Sequence, residues 1–228
     1  MDTNVSWEEK LDWFRDLYGM NYSSVITNPN ARVLEVGCNQ GFFLKVLSEQ
    51  GFKNLYGIDL SPEDVEIAKT KGGLANVFVA DLHQFLCNSP LKFDVILAKD
   101  VLEHVEKSQL LSFVTTIKDA LAPGGLVLFQ VPNMDWLYSS HERFMDLTHE
   151  VGFTPQSLGQ LLRLHFHQVE IRKVSYLFPK NWKQRLLWGP FRKLYLSGLR
   201  FHLKVMGEGA SELWFDCREI LGIGRNQP

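Results

Sequence analysis

At 228 residues the chain can fill one large domain but not two ordinary ones. Its 45% hydrophobic and 22% charged residues are globular usage, which excludes a disordered polar chain. A formal charge of −2 excludes polyanion binding by the molecule as a whole, and no apolar run reaches the roughly 18 residues of a membrane span.

Cys38, Cys87 and Cys217 are scattered and odd in number, which points to reduced thiols in a cytoplasm rather than to a disulfide framework. The first ten residues carry no basic and apolar leader pattern, so a cytoplasmic location is expected. In chain order, Trp7, Leu11, Phe14 and Leu17 fall near helical spacing behind a Ser6–Glu9 capping box, which predicts an amphipathic helix. ARVLEVG (31–37) reads as a buried strand and GFFLKVLSEQG (41–51) as a helix stopped by its glycine. NLYGIDL (54–60) reads as a strand. SPEDVEIAKTKGG (61–73) follows as a helix with Ser61 as cap and Pro62 in first position. NVFVADL (76–82) and FDVILAKD (93–100) are further strands, and KSQLLSFVTTIKDALAPGG (107–125) is a helix leading into the strand GLVLFQVPN (125–133). TPQSLGQLLRLH (154–165) predicts a helix capped by Thr154. HQVEIRKVSYLF (167–178) predicts a strand, and SELWFDCREILGIGR (211–225) the last one. Alternation of this kind implies an α/β fold, a mostly parallel sheet covered on both faces, with ligands beyond the carboxyl ends of the strands.

Three acids stand at three successive strand ends: Glu35, Asp59 and Asp81. Between the first strand and its helix runs EVGCNQG, where Gly37 and Gly41 permit a tight turn and a close approach of backbone to ligand. A dinucleotide loop would read GxGxxG, and a carboxylate at Glu35 would repel a pyrophosphate. The same carboxylates suit a nucleoside with ribose hydroxyls and a positive charge.

The ordered set VLEVGCNQG, YGIDLS, VADL, FDVILAKDVLEHV and LAPGGLVLFQVPN, spanning about residues 31–133, resembles the motifs of class I S-adenosylmethionine-dependent methyltransferases. That resemblance implies a Rossmann-like, seven-stranded sheet whose last strand is antiparallel, with helices on both faces. It implies S-adenosyl-L-methionine as cofactor and S-adenosyl-L-homocysteine as product. Glu35, Gly37, Cys38, Asn39 and Gly41 would line its methionine side, Asp59 with Leu60 its ribose, and Asp81 with Leu82 its adenine, with Lys99 near the sulfonium. Asn39 stands where such proteins usually carry glycine, and asparagine is the side chain that best tolerates a left-handed backbone.

HERFMDLTHEVGFTP (141–155) follows the fifth strand and is too polar for core. The resemblance places it at the acceptor pocket, and it is similar to the same segment of bacterial methyltransferases of surface-polysaccharide and other sugar pathways. An attacking alcohol must lose a proton, a task for histidine near neutral pH. His149 and His141 are candidate bases, with Asp146 to orient the imidazole, and Arg143, Thr148 and Glu150 are candidate acceptor contacts. His104 is a further candidate base or a local packing residue. A metal set of His141, Asp146, His149 and Glu150 lacks any standard ligand spacing, and no metal is expected.

From Ile171 to Met206 there are nine Lys/Arg and no Asp or Glu, interleaved with aromatics such as Trp182, Trp188 and Tyr195. Such a stretch suits an anionic membrane surface or a lipid-linked acceptor, a nucleic acid, or a packed insertion. The expected organisation is a helical lid at 1–30, a cofactor-binding core at 31–175, a basic aromatic insertion at 176–208 and a closing strand at 209–228. The leading expectation is O-methylation of a carbohydrate or other polar acceptor, free or lipid-linked. Peripheral contact with the inner membrane face through 176–204 is expected with it, and nucleic acid is not. The alternatives are N- or C-methylation of a small metabolite or tRNA, and a cofactor-binding scaffold without catalysis.

Overall fold

The computed structural model describes residues 5–87, 89–176, 182–207 and 213–227. Seven strands form one sheet in the order β3-β2-β1-β4-β5-β7-β6. They are β1 (Arg32–Val36), β2 (Asn54–Asp59), β3 (Val77–Val79), β4 (Phe93–Lys99), β5 (Leu121–Pro132), β6 (Gln168–Lys173) and β7 (Glu219–Arg225). β1 to β5 pair in parallel, and β7 runs antiparallel between β5 and β6. The Rossmann-like sheet with an antiparallel last strand is therefore as expected.

The pleat sends alternate side chains to opposite faces, and two cores result. Val33, Val95, Leu97, Leu126 and Leu128 face one core, with α1 (Trp7–Asn21) and α2 (Phe42–Glu49). Leu34, Ile96, Ala98, Val127 and Phe129 face the other, with α5 (Leu110–Ala120) and α7 (Pro155–Arg163). α3 (Pro62–Thr70) connects β2 to β3, and α4 (Leu82–Cys87) and α6 (Ser139–Phe144) are single turns. Ser6 caps α1 as read, its hydroxyl accepting from the Glu9 N–H and its own N–H donating to the Glu9 carboxylate at 2.9 Å. Between residues 5 and 30, Leu11, Leu17, Tyr18 and Tyr22 pack into the first core.

Several boundaries differ from the sequence reading, each for a local reason. β3 ends at Val79 because the Asp81 carboxylate accepts the N–H groups of His83 (2.8 Å) and Gln84 (3.3 Å) and starts α4 instead. α5 ends at Ala120, and Leu121 already pairs with Phe93 before the ladder slips and resumes at Leu126. Trp214–Cys217 forms a turn rather than strand, so β7 begins at Glu219.

The basic stretch forms α8 (Trp182–Val205), a 24-residue helix with Pro190 inside it. Phe178 and Lys180 lie outside the described residues. Leu187, Phe191, Leu194, Tyr195, Phe201 and Val205 are each more than half exposed, and helical spacing puts them in one stripe. Leu196, Leu199 and Leu203, on the other side, are half-buried. Arg200 pairs with Asp216 at 3.2 Å and fixes the helix to the turn before β7. Among the described residues no helix is long and apolar enough to cross a membrane.

Candidate functional site

The carboxyl edge of the sheet collects the ionisable residues singled out in the sequence. After β1 the backbone turns through Gly37 (φ 69°), Asn39 (φ 47°) and Gly41 (φ 75°). Asn39 thus adopts the left-handed conformation expected of it. A Cβ on Gly37 would lie 2.5 Å from Val101 Cγ2, and one on Gly41 2.5 Å from Leu74 Cδ1, so both glycines are required sterically as well as by φ. Cys38 is buried against Gly57, and burial drives its thiol well above the ordinary range.

Glu35 is 4% exposed. Burial first, then Asp59, push its carboxyl up to about 8, while Lys99 and a backbone hydrogen bond from Leu44 pull the other way. Its Oε2 has no hydrogen-bond partner among the described residues. A buried carboxyl with one oxygen unmet, two residues before a glycine cradle, is fitted to receive a cationic or donor group of a ligand. Asp59 accepts the Asn39 N–H at 2.7 Å on one oxygen and the Ser61 N–H at 2.9 Å on the other. Each oxygen keeps a lone pair for a further donor, such as a ribose hydroxyl. Leu60 is exposed, Leu82 is in the core, and Asp81 serves as the cap of α4 while standing on the same rim.

Lys99 and Asp100 form an ion pair, and Asp100 takes a left-handed backbone (φ 53°) that is costly for aspartate. Burial disfavours the Lys99 ammonium, but Asp100 and then Glu219 outweigh it and hold it protonated. Its Nζ also stands 5.6 Å from the centre of the Trp13 ring, which brings α1 to this edge. Behind it the Tyr22 hydroxyl donates to Gln130, whose amide donates to Glu219. This buried polar belt escaped the sequence reading because Gln130 sits inside an otherwise apolar strand run, and Glu219 stands beside Arg218, where it reads as an exposed charge.

The stretch 141–155 is brought back over the end of β4. The N–H groups of Glu150 (2.8 Å) and Val151 (3.1 Å) donate to the carbonyl of Glu103. The rings of His149 and His104 then meet edge to face, 4.7 Å between centroids. His149 Nδ1 lies 2.9 Å from the carbonyl of Glu142. A carbonyl only accepts, so Nδ1 carries the proton and the neutral ring keeps its lone pair on Nε2. His104 Nδ1 lies 2.8 Å from the Thr148 hydroxyl, which itself donates to Asp146 Oδ1 at 2.7 Å. The relay fixes the same tautomer in His104, and the Thr148 bonds hold Asp146 below the ordinary carboxylate range.

Glu103 is 2% exposed, and its Oε2 has no partner among the described residues. Burial, then Asp100, push its carboxyl upward. Arg143 donates to the backbone carbonyls of His149 and Glu150, so it braces this loop. His141 is exposed on α6, and among the described residues no hydrogen bond or ring contact engages its side chain. The structure therefore brings together His149, Asp146 and Thr148 with His104 and Glu103, and leaves His141 apart. The only sequence signal for Glu103 was its place beside His104 in DVLEHV, a charged pair in an apolar turn.

Residues 18–185 match the model of a family described as a methyltransferase domain. A ubiquinone biosynthesis O-methyltransferase of Cereibacter sphaeroides is 30% identical over 131 residues, 54% of this chain and 52% of that protein. The chain thus spans about half the length of the curated relatives it matches. A SAM-dependent methyltransferase from Archaeoglobus fulgidus superposes with a TM-score of 0.67 at 20% identity, covering 96% of this chain and 97% of the other. The N-methyltransferase NodS from Bradyrhizobium japonicum WM9, in complex with S-adenosyl-L-homocysteine, superposes with a TM-score of 0.62 at 20% identity, covering 99% and 90%.

Proposed function

The chain belongs to the methyltransferase-domain family, and on that premise we propose that it O-methylates a hydroxyl of a carbohydrate or similarly polar head group carried on a lipid. It is an S-adenosylmethionine-dependent enzyme. The cofactor supplies, when bound, an electrophilic methyl carbon on sulfur. Glu35, with its unmet buried oxygen, and the Gly37–Gly41 cradle would hold the amino-acid end, and Asp59 the ribose hydroxyls. Asp81 and Leu82 would border the adenine, and the paired Lys99 keeps the neighbouring carboxylates from repelling one another without limit.

The observation that carries the reaction type is the fixed tautomer of His149. Its Nε2 lone pair can take the proton of an attacking hydroxyl, while the Glu142 carbonyl stabilises the imidazolium through Nδ1. An enzyme acting on a nucleophile that needs no deprotonation has less use for such a group. The lipid part of the reading rests on α8: its exposed apolar stripe lies in a segment with nine cations and no acid, which complements an anionic bilayer surface. A second reading is favoured by the curated relatives, whose name points to an acceptor from ubiquinone biosynthesis.

The test is incubation of the protein with isotopically labelled S-adenosylmethionine and, separately, a lipid-linked glycan extract, a quinone-lipid extract and a water-soluble metabolite extract. Label in an ether-linked methyl of a lipid-linked glycan is the expected result. Label only in quinone lipids selects the second reading, and label on nitrogen or only in soluble metabolites overturns both. Cofactor binding with no label in any pool marks a scaffold.

A further inference from the structure

The geometry points to a divalent transition-metal site formed by Glu103, His104 and His149, with open positions for an acceptor hydroxyl. Carboxylate and ring-nitrogen donors of the three residues all lie within 4.8 Å of one another. Donors at about 2.1 Å from one ion stand roughly 3.0–3.4 Å apart at octahedral or tetrahedral angles. Closure therefore draws the widest-set donors together by up to roughly 1.4–1.8 Å, a movement that side-chain torsions supply.

Three independent features favour an ion over a bare cluster. First, Glu103 is buried, and its Oε2 meets no donor among the described residues. Such an oxygen is costly to bury unless something is meant to meet it. Secondly, each histidine has its Nδ1–H engaged by a residue outside the set of three, His149 by the Glu142 carbonyl and His104 by Thr148 and onward to Asp146. Metal-bound histidines are oriented in this way, with the second nitrogen tied to a carbonyl or a carboxylate. Both rings thus keep the Nε2 lone pair for a ligand. Thirdly, the ligands are held on separate elements by backbone bonds, Glu150 and Val151 to Glu103, so the pair is preset and does not depend on one flexible loop.

The donor set selects the ion. Two imidazole nitrogens and one carboxylate suit zinc, manganese or iron(II), whereas magnesium and calcium prefer oxygen alone. Three protein donors leave one or more positions open, the pattern of a site that binds substrate. This inference rests on the reading of the cluster as the place where the acceptor hydroxyl is activated. It changes the agent from a free imidazole to an ion that lowers the hydroxyl's affinity for its proton, which then passes to solvent.

The test uses the full chain after chelator treatment and buffer exchange, with Zn²⁺, Mn²⁺ and Mg²⁺ each added alone and binding read by calorimetry, and by spin resonance for Mn²⁺. One equivalent of Zn²⁺ or Mn²⁺ should bind, and Mg²⁺ far more weakly. His104→Ala and His149→Ala should each weaken binding by at least the ~10–100-fold that loss of even a supporting partner costs. His167→Ala, on the exposed approach to β6, should leave it unchanged. Glu103→Gln keeps the shape and should weaken binding likewise. If that variant fails to fold, the two histidine variants decide. No stoichiometric binding, or equal binding by the His104→Ala/His149→Ala double variant, overturns the site. Because no methyl donor or acceptor is present, the two readings fail separately. Binding without methyl transfer to any acceptor keeps the site and removes the function, and His149-dependent transfer without binding does the reverse.

Discussion

His149 presents its ring to His104 edge to face, 4.7 Å between centroids, although one residue follows α6 and the other follows β4. The contact depends on the Glu103 carbonyl accepting the N–H groups of Glu150 and Val151, and on Arg143 bracing the loop from its other side. It joins the loop that follows α6 to the carboxyl end of β4.

His149→Ala should lower turnover by about 10²–10⁴-fold, the usual worth of a proton-accepting group at the reacting oxygen. Affinity for S-adenosylhomocysteine should hardly change. His141→Ala should cost little, since that side chain stands exposed and unengaged on α6. Steady-state rates of the two variants check this, and equal losses would return His141 to the site.

Asp59→Ala should weaken S-adenosylhomocysteine binding by roughly tenfold to a hundredfold, as each charge-assisted hydrogen bond is worth about 1.5–3 kcal/mol. The structure adds a second loss, since Asp59 also holds the Asn39 and Ser61 N–H groups. Calorimetric titration measures it, and unchanged affinity would take Asp59 out of the cofactor site.

Glu35 gives a pH dependence. Its folded carboxyl is raised from 4.5 to about 8, chiefly by burial. The folded state therefore binds the extra proton between those values, and its contribution to stability is full at the acid end and falls as pH rises towards 8. Denaturant melts of the unliganded protein should show that loss, and Glu35→Gln should flatten it. If a ligand ammonium meets Glu35, cofactor binding at pH 7 should release about one proton. Calorimetry in two buffers of different ionisation heat reads it, and release that persists in Glu35→Gln would assign the proton elsewhere.

Gly37→Ala should destabilise by about 1–3 kcal/mol through its left-handed backbone alone. The clash with Val101 adds to that, so Gly37→Ala/Val101→Ala should recover part of the loss and not all. Thermal melts of the two variants separate the contributions.

α8 should bind vesicles containing anionic lipid at low salt, each cation near the surface adding about 1 kcal/mol. Binding should fade as salt shortens the screening length. Phe191→Glu/Leu194→Glu puts charge into the exposed stripe and should abolish flotation while cofactor affinity holds, since both side chains are more than half exposed and the helix is tied to Asp216, ahead of β7. Wild-type protein that stays at the bottom of the gradient would make α8 a surface for something other than a bilayer.

The sequence alone determined the strand–helix alternation, the acids at three strand ends, the left-handed turn at Asn39 and the capped start of α1. These are local properties: periodicity, caps and glycines act within a few residues, so they are visible in a short window. It did not determine where β3 yields to α4, because Asp81 reads equally well as a strand end and as a helix cap until its partners are placed. Nor did it determine which histidines meet. His141 and His149 look equivalent in a polar stretch, and only the pairing of Glu150 and Val151 with Glu103 brings His149 to His104 and leaves His141 in solvent. The buried oxygens of Glu35 and Glu103 belong to the same class. Burial and hydrogen-bond satisfaction are set by elements distant in sequence, so the residues that hold the site's charge acquire that character only when the sheet closes around them.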